Sequence, residues 1–282
     1  MKDTIRAWAA VQDDVRTAIL TGSRACVAGP EPDDLSDYDL ILFLDEPSAR
    51  VTSDAWLSDF GDVLVWIPER LRHLDHEVPT RLVQYVAGHR IDFTLSTVEI
   101  LRVLSILAEL PPWLDAGYEV LVDKDGVSGT MVPPNGRGYA GRTPEADVLV
   151  AEVREFWWEA LVVGKQLARG EFVAAAYSLE AVMRHGLLRG MVERLAAARS
   201  GWTQSFGPVG RGLEDRELVG LLQGGWVQEA SAAADPWQAV EALLDAYSAV
   251  AHEVLDQLGA EYPAAVEEGA RARLSMLRLR GD

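Results

Sequence analysis

Two carboxylates lie one residue apart at the start of an apolar run, in the sequence DYDLILFL. Side chains alternate across a β-strand, so Asp37 and Asp39 should project from the same face of it. Like charges this close raise each other's pKa unless a cation lies between them, and Mg²⁺ is commonly held by carboxylates together with substrate phosphates. Taken alone, the pair favours a simpler interpretation, a solvated strand entry, because D-x-D patterns are frequent.

Two further features point to phosphate chemistry. The turn TGSR (residues 21–24) ends the preceding apolar segment. Its glycine permits close approach of the backbone to a phosphate, and its serine hydroxyl and backbone N–H groups can hold phosphate oxygens. Downstream, RIDFTLS places Asp92 in another apolar strand, where an unpaired carboxylate is costly to bury. A metal shared with Asp37 and Asp39 would supply its partner, so together these features predict a magnesium–triphosphate site.

The composition excludes several classes of protein. The chain has 282 residues, 49% of them hydrophobic, and a formal net charge of −18. This charge repels phosphate backbones and argues against nucleic-acid binding. An acidic cleft would attract a cationic small molecule, although acidic surfaces also simply keep proteins soluble. The lone Cys26 excludes an intrachain disulfide and argues against a cysteine-built metal site.

The sequence also indicates location and assembly. The first residues lack the pattern of a secretory signal, and no apolar run approaches the roughly 20 residues needed to cross a bilayer. We therefore expect a cytoplasmic enzyme or binding protein without a membrane partner. A monomer or a small homo-oligomer is expected.

The elements that position these residues form an α/β half with a sheet of about five strands, drawn from six candidate segments. Helical spacing of apolar residues predicts a first helix from residue 3 to about 20. A short helix is predicted at SDAWLSDFG with Ser53 as its N-cap, and RHLDHEVP is interpreted as a polar loop. The helix VEILRVLSILAEL should end at Pro111. The predicted strands are AILTGS, YDLILFL, DVLVWI, RLVQYVA, RIDFTLS and YEVLVD.

A connector rich in Gly and Pro, VPPNGRGYAGRTPEAD, separates this half from a helical one. Thr143 and Pro144 are a typical N-cap and first-turn pair, and only helical periodicity follows them. We predict an α+β protein with domains 1–142 and 143–282, the second a helical bundle. The connector also satisfies G-x-G-x-x-G at Gly136, Gly138 and Gly141, but without the preceding strand that a dinucleotide fingerprint requires.

The Gly-Ser turn, the D-x-D pair and the third strand aspartate resemble the nucleotidyltransferase superfold. From the first helix to about residue 265, the chain is similar to the aminoglycoside 6-adenylyltransferases, the streptomycin-modifying family. The matching pieces are GSRA, SDYDL, SDAWLSDFGDV, RIDFTL, VDKDG, EFWW, GKQLARGEF, MRHGLLR and the run PWQAV…HEVLDQL…YP. The resemblance implies an N-terminal mixed sheet with flanking helices and a helical bundle on the acceptor side of the cleft. It also implies Mg²⁺-dependent transfer of AMP from ATP to an aminoglycoside hydroxyl, which is an antibiotic-resistance activity.

The resemblance also implies roles for the three aspartates. Asp37 and Asp39 would hold the metals that bridge the triphosphate. Asp92 would ligate the catalytic metal and help to deprotonate the attacking hydroxyl.

Four further residues receive nucleotide-binding roles from the resemblance. Gly22 and Ser23 would cradle the β- and γ-phosphates, with Arg24 nearby. Lys165, in the helical half, would reach the triphosphate as a point charge.

The chain departs from the family pattern on the acceptor or outer nucleotide side. The family implies an acidic residue where Tyr177 stands, and the nearest carboxylate on that helix is Glu180, about one turn later. Glu180 is either an acceptor carboxylate or an ordinary solvated position. The family also carries a lysine in a glycine turn after the second long helix. In this chain the turn is FGPVGRG, with Arg211 in place of the lysine. These departures leave open a nucleotidyltransferase for another small-molecule or protein acceptor, and a non-catalytic nucleotide-binding module is the third hypothesis.

Overall fold

The computed structural model describes residues 1–27, 31–138, 143–203, 206, 210, 212–223 and 235–281. The chain divides into two compact units, Met1–Tyr139 and Ala140–Asp282. Arg211 and Gly141 lie outside the described residues.

The first unit is built on one mixed sheet. Its strands are β1 (Val15–Thr21), β2 (Tyr38–Leu44), β3 (Val63–His73), β4 (His76–Tyr85), β5 (Arg90–Thr97) and β6 (Glu119–Asp123). The spatial order is β3-β4-β5-β2-β1-β6. The β2–β5 pair is parallel, and the other neighbours are antiparallel. The parallel pair therefore lies at the centre of the sheet, flanked by strands on both sides.

Helices cover both faces of this sheet. They are α1 (Lys2–Val11), α2 (Ser48–Thr52), α3 (Val98–Ser105) and α4 (Pro112–Asp115), with 3₁₀ turns at Gly22–Arg24, Ala55–Phe60 and Val127–Thr130. One face buries Leu40 and Leu42 of β2 with α1, while the other buries Ile41 and Phe43 with α3. Burial on both faces explains why the second half of DYDLILFL is continuously apolar.

The prediction of a first helix reaching residue 20 is wrong, because α1 ends at Val11 and β1 starts at Val15. The β-branched residues Val15, Thr17 and Ile19 are fully buried within that strand. Such side chains fit a pleated surface packed on both faces, so tertiary packing decides against the helix.

The interpretation of RHLDHEVP as a polar loop is also wrong. The segment forms the tip of a long hairpin, in which His73 ends β3 and His76 begins β4. Only two residues connect the strands, and Leu74 adopts a left-handed φ of 54° to make the turn. Pro68 lies within β3, where it is tolerated because β3 is the edge strand.

The segment SDAWLSDFG forms a 3₁₀ turn preceded by Asp54, and not a helix capped by Ser53. The Asp54 carboxylate instead accepts a hydrogen bond from Arg81 Nε at 2.7 Å. Because the buried Arg81 guanidinium needs an anion, this pair competes with an N-terminal cap.

The second unit, in its described residues, contains helices and no strands. They are α5 (Ala146–Ala168), α6 (Phe172–Tyr177), a π-helical segment (Ser178–Leu188), α7 (Arg189–Arg199), α8 (Arg216–Leu222), α9 (Pro236–Gln257) and α10 (Ala264–Gly281). The α+β prediction is confirmed. The predicted N-cap at Thr143 is wrong, since Glu145 is still extended and α5 starts one residue later.

Aromatic side chains hold the core of this unit. Phe156 stacks on Tyr247 with ring centroids 3.5 Å apart. The buried Trp157 donates its indole N–H to the Tyr262 hydroxyl at 2.9 Å, and Tyr262 donates to Glu267 at 2.7 Å. The polar edges of the core are thus satisfied. Within the part of the chain that is described, no helix is long and apolar enough to cross a membrane.

Candidate active site

The parallel pairing of β2 with β5 brings two predicted site residues together. Asp39 and Asp92 are register partners. Both side chains line one cavity of about 490 Å³ on the face of the sheet that also carries Ile41 and Thr94. Asp37 lies one residue before β2, two positions from Asp39. The strand periodicity therefore places the D-x-D pair and the third aspartate on the same sheet face.

The Gly22 backbone lies directly against the Asp39 carboxylate. Thr21, the last residue of β1, is the register partner of Asp39 and its hydroxyl donates to the Asp39 carbonyl at 3.3 Å. Gly22 then turns the chain with a left-handed φ of 67°. A Cβ at this position would lie 1.9 Å from Asp39 Oδ2. Only glycine allows the turn and the carboxylate to approach this closely.

Arg90 lies between the carboxylates. Its Nε and Nη2 donate to the two Asp92 oxygens at 2.8 and 2.7 Å. Its Nη1 is 3.4 Å from Asp37 Oδ2. Arg90 precedes Asp92 by two residues on the same strand, so both side chains project from one face. The guanidinium thus supplies the positive charge that the closely spaced carboxylates require.

Burial and charge act against each other at Asp92, whose side chain is 15% exposed. Burial raises the pKa of Asp92, the Arg90 hydrogen bonds and charge lower it, and the charges of Asp37 and Glu69 raise it further. The net effect is a raised pKa. The pKa of Arg90 is raised as well, chiefly by its hydrogen bonds to Asp92. A carboxylate with a raised pKa is a better proton acceptor than an ordinary aspartate.

The donor set is chemically suited to magnesium. Asp39 and Asp92 offer hard oxygen ligands in register, beside a glycine cradle that a Cβ would fill. Among the residues that the structure describes, no three His, Cys, Asp or Glu side chains are grouped so as to hold a metal ion. Arg90 is interposed between Asp37 and Asp92. The metal ligation of the three aspartates stays a prediction.

Arg24 makes structural contacts. Its guanidinium donates to the Ser36 carbonyl at 2.7 Å and to the Asp33 carbonyl at 3.1 Å. Its centre lies 4.0 Å above the Tyr38 ring. Arg24 therefore fixes the loop that leads into β2 and thereby positions the aspartates. Ser23, beside it in the same 3₁₀ turn, is exposed.

Three predicted site residues lie in the second unit. Lys165 is exposed on α5, with its ammonium 6.0 Å from the ring centroid of the exposed Trp158. Tyr177, the last residue of α6, is exposed as well. Glu180 lies in the π-helical segment and accepts a hydrogen bond from Arg184 Nε at 2.8 Å. The charge of Glu180 is thus partly compensated, unlike that of a simple solvated carboxylate.

Sequence reasoning did not assign several of the residues that line the cavity to the site. Arg90 was detectable, since the period of two places it beside Asp92. The predicted strand DVLVWI ends before Pro68. Glu69 and His73 lie in the second half of β3, beyond that predicted end. These residues include Glu69, His73, Arg90 and Trp113.

His73 makes the stability of the first unit depend on pH. It stacks on Trp113 with ring centroids 4.2 Å apart, and its Nδ1 is buried without a hydrogen-bond partner among the described residues. Burial lowers the pKa of His73 from 6.5 to about 4. The folded state therefore favours the neutral ring, and stability is lost as the pH falls from about 6.5 towards 4. The expected loss by pH 5 is about 2 kcal/mol.

Urea unfolding at pH 7 and pH 5 measures this loss. His73→Phe, which preserves an aromatic stack, should remove about 2 kcal/mol of the pH dependence. His76→Phe, at the exposed start of the next strand, is the matched control and should retain it. An equal pH dependence in the His73 variant and the unmodified protein would show that this histidine is not its source.

The family model described as streptomycin adenylyltransferase matches residues 1–275. The aminoglycoside 6-adenylyltransferase of Bacillus subtilis (strain 168) is 29% identical over 211 residues, covering 73% of this chain and 72% of that protein. The Campylobacter jejuni enzyme of the same name is 26% identical over 267 residues, covering 93% and 89%.

Among solved structures, an aminoglycoside 6-adenyltransferase from Bacillus subtilis aligns with a TM-score of 0.42 and 22% identity, over 99% of this chain and 97% of that one. The family predicted from the sequence is confirmed by the family model and the curated relatives. With residues 1–275 matched, the chain belongs to the streptomycin adenylyltransferase family and is an adenylyltransferase.

Proposed function

We propose that this protein transfers AMP from ATP to a hydroxyl of an aminoglycoside antibiotic, with Mg²⁺, and releases pyrophosphate. The observation that carries the proposal is the register pairing of Asp39 with Asp92 beside the Gly22 turn, in a chain of this family. The names of the relatives support an aminoglycoside as the acceptor. The product would be an inactivated antibiotic, and streptomycin is the first acceptor to test.

Residues of the first unit are proposed to bind the metal and the outer phosphates. Asp37, Asp39 and Asp92 would hold magnesium, which supplies positive charge to the phosphate oxygens when bound. Gly22 and Ser23 would hold the outer phosphates through backbone N–H groups and the serine hydroxyl. The backbone of Gly22 contacts the Asp39 carboxylate, so the proposed metal-binding and phosphate-binding residues lie side by side.

The bond changes balance without another reactant. The acceptor oxygen bonds to the α-phosphorus, and the bond from that phosphorus to the bridging oxygen breaks, so that pyrophosphate leaves. The hydroxyl proton passes to the Asp92 carboxylate. Lys165 is proposed to bind the triphosphate as a point charge.

Charge supports a cationic acceptor. The formal net charge is −18, and Glu69 adds a carboxylate to the cavity that contains Asp39 and Asp92. Tyr177 and Glu180 are proposed to contact the acceptor. The ion pair of Glu180 with Arg184 favours a second candidate function, transfer to an acceptor other than streptomycin, because it lowers the negative charge available there.

Pyrophosphate release from ATP and Mg²⁺, measured across a panel of aminoglycosides, tests the proposal. We expect turnover with streptomycin or a related aminoglycoside, none without acceptor, and none after chelation of the metal. Mass spectrometry of the product should show the addition of one AMP. Absence of turnover across the panel, with release on another acceptor, would replace the first candidate by the second.

A further inference from the structure

Arg90 is bound more closely to the aspartates than a surface arginine would be. Two nitrogens of its guanidinium contact both Asp92 oxygens, and the third contacts Asp37. The side chains of Arg90 and Asp37 are each 38% exposed, whereas that of Asp92 is 15% exposed. The planar, two-bonded geometry with Asp92 is the strong form of an arginine–carboxylate contact.

The Arg90 guanidinium lies between Asp37 and Asp92, where a bound cation would contact both carboxylates. Asp37 and Asp92 carry like charges, and both contact this one guanidinium. A divalent cation that binds these oxygens meets a positive group already in contact with them. The ion pair of Arg90 with the aspartates must break before the cation binds, and the guanidinium also repels the cation. Both effects oppose metal binding.

We propose that Arg90 is a built-in counter-ion that competes with the divalent cation for Asp37 and Asp92, and so sets the metal affinity of the site. The inference rests on the proposed function, because it assigns these aspartates to the metal. Before a metal binds, Arg90 holds the carboxylates together and limits their repulsion. When a metal binds, the guanidinium leaves the Asp92 oxygens. The affinity for metal is thereby kept below that of the bare carboxylates.

A merely orienting role for Arg90 predicts the opposite outcome. If the bonds to Asp92 held that carboxylate in its metal-binding position, their loss would weaken binding. The sign of the change in metal affinity therefore distinguishes competition from orientation.

Binding of Mn²⁺ in the absence of nucleotide, followed by the electron paramagnetic resonance signal of the free ion, tests the proposal. Arg90→Gln should lower the Kd for Mn²⁺ by about fivefold, as expected for loss of a partly exposed ion pair. Arg90→Lys, which retains the charge without the fork, should fall between the two. Arg16→Gln is the matched control, since Arg16 donates to Asp125 from the opposite end of the same sheet. Its Kd should be unchanged.

Thermal unfolding gives a readout that does not depend on the affinity measurement. In EDTA, Arg90→Gln should unfold at a lower temperature than the unmodified protein because its carboxylates repel. Saturating Mn²⁺ should raise its Tm by more than it raises that of the unmodified protein. A larger rise in Tm supports the proposal even where the variant is partly destabilised.

An equal or higher Kd for Mn²⁺ in Arg90→Gln than in the unmodified protein would overturn the proposal. Failure of the proposed function gives a different pattern, namely no AMP transfer by the unmodified protein to any acceptor. If AMP is transferred and the Kd of Arg90→Gln is not lowered, the function stands and the competition does not.

Discussion

Replacement of Asp39 by Asn is expected to reduce AMP transfer by at least about three orders of magnitude and to leave the fold intact. Asn has the shape of Asp and cannot supply the negative charge that a metal–triphosphate complex requires. Asp39 is the register partner of Asp92 and lies against Gly22, so no other carboxylate occupies its place in the sheet. Loss of charge stabilisation at transferred phosphoryl groups has effects of this size.

Pyrophosphate release under saturating ATP and acceptor measures the effect, and urea unfolding measures the fold. Asp45→Asn is the matched control, because Asp45 is an exposed aspartate that directly follows the other end of β2. It should retain the activity of the unmodified protein. The metal-site assignment fails if Asp39→Asn keeps more than about a tenth of the unmodified rate.

Local rules predict only part of the arrangement of the three aspartates. The period of two in a strand puts Asp37 and Asp39 on one face, and the cost of a buried carboxylate requires a partner for Asp92. The parallel register that makes Asp39 and Asp92 neighbours is not local. It depends on the order of strands in the sheet, which no spacing within β2 or β5 determines.

The errors have a common physical origin. Val15 and Ile19 suit a helix by spacing, but burial on both faces of the sheet makes them a strand. Pro68 and the polar run 72–77 resemble a loop, yet the edge strand β3 tolerates the proline and the polar run forms the tip of a hairpin. The predicted strand therefore omits the second half of β3, which contains Glu69 and His73. In each case the tertiary position of the segment overrode its local pattern.

The roles predicted for Lys165, Tyr177 and Glu180 came from family resemblance. No helical period distinguishes Lys165 from any other exposed lysine. The contact of Glu180 with Arg184 is a helical neighbour pair, which the sequence spacing of four already indicates. What such side chains bind depends on the surroundings of the helix and has no signature in its sequence.

Replacement of Gly22 by Ala is expected to cost about 1 kcal/mol of stability and to lower AMP transfer by roughly a hundredfold or more. The stability loss follows from the left-handed φ of 67°, which alanine adopts at a cost of about 1 kcal/mol. The rate loss has another cause. The new Cβ would lie 1.9 Å from Asp39 Oδ2, so the carboxylate must turn away. Displacement of a reacting group by about 1 Å can cost a hundredfold in rate.

Gly126→Ala separates the two causes. Gly126 has nearly the same φ, 70°, and a Cβ there meets nothing within 4 Å. In urea unfolding, Gly126→Ala should lose only the backbone cost and Gly22→Ala at least as much, because its Cβ also displaces Asp39. Only Gly22→Ala should lose activity. The double variant Gly22→Ala/Asp39→Asn should transfer AMP no more slowly than Asp39→Asn alone, because both changes act on one carboxylate. Additive rate losses would mean that Gly22 acts on the triphosphate independently of Asp39.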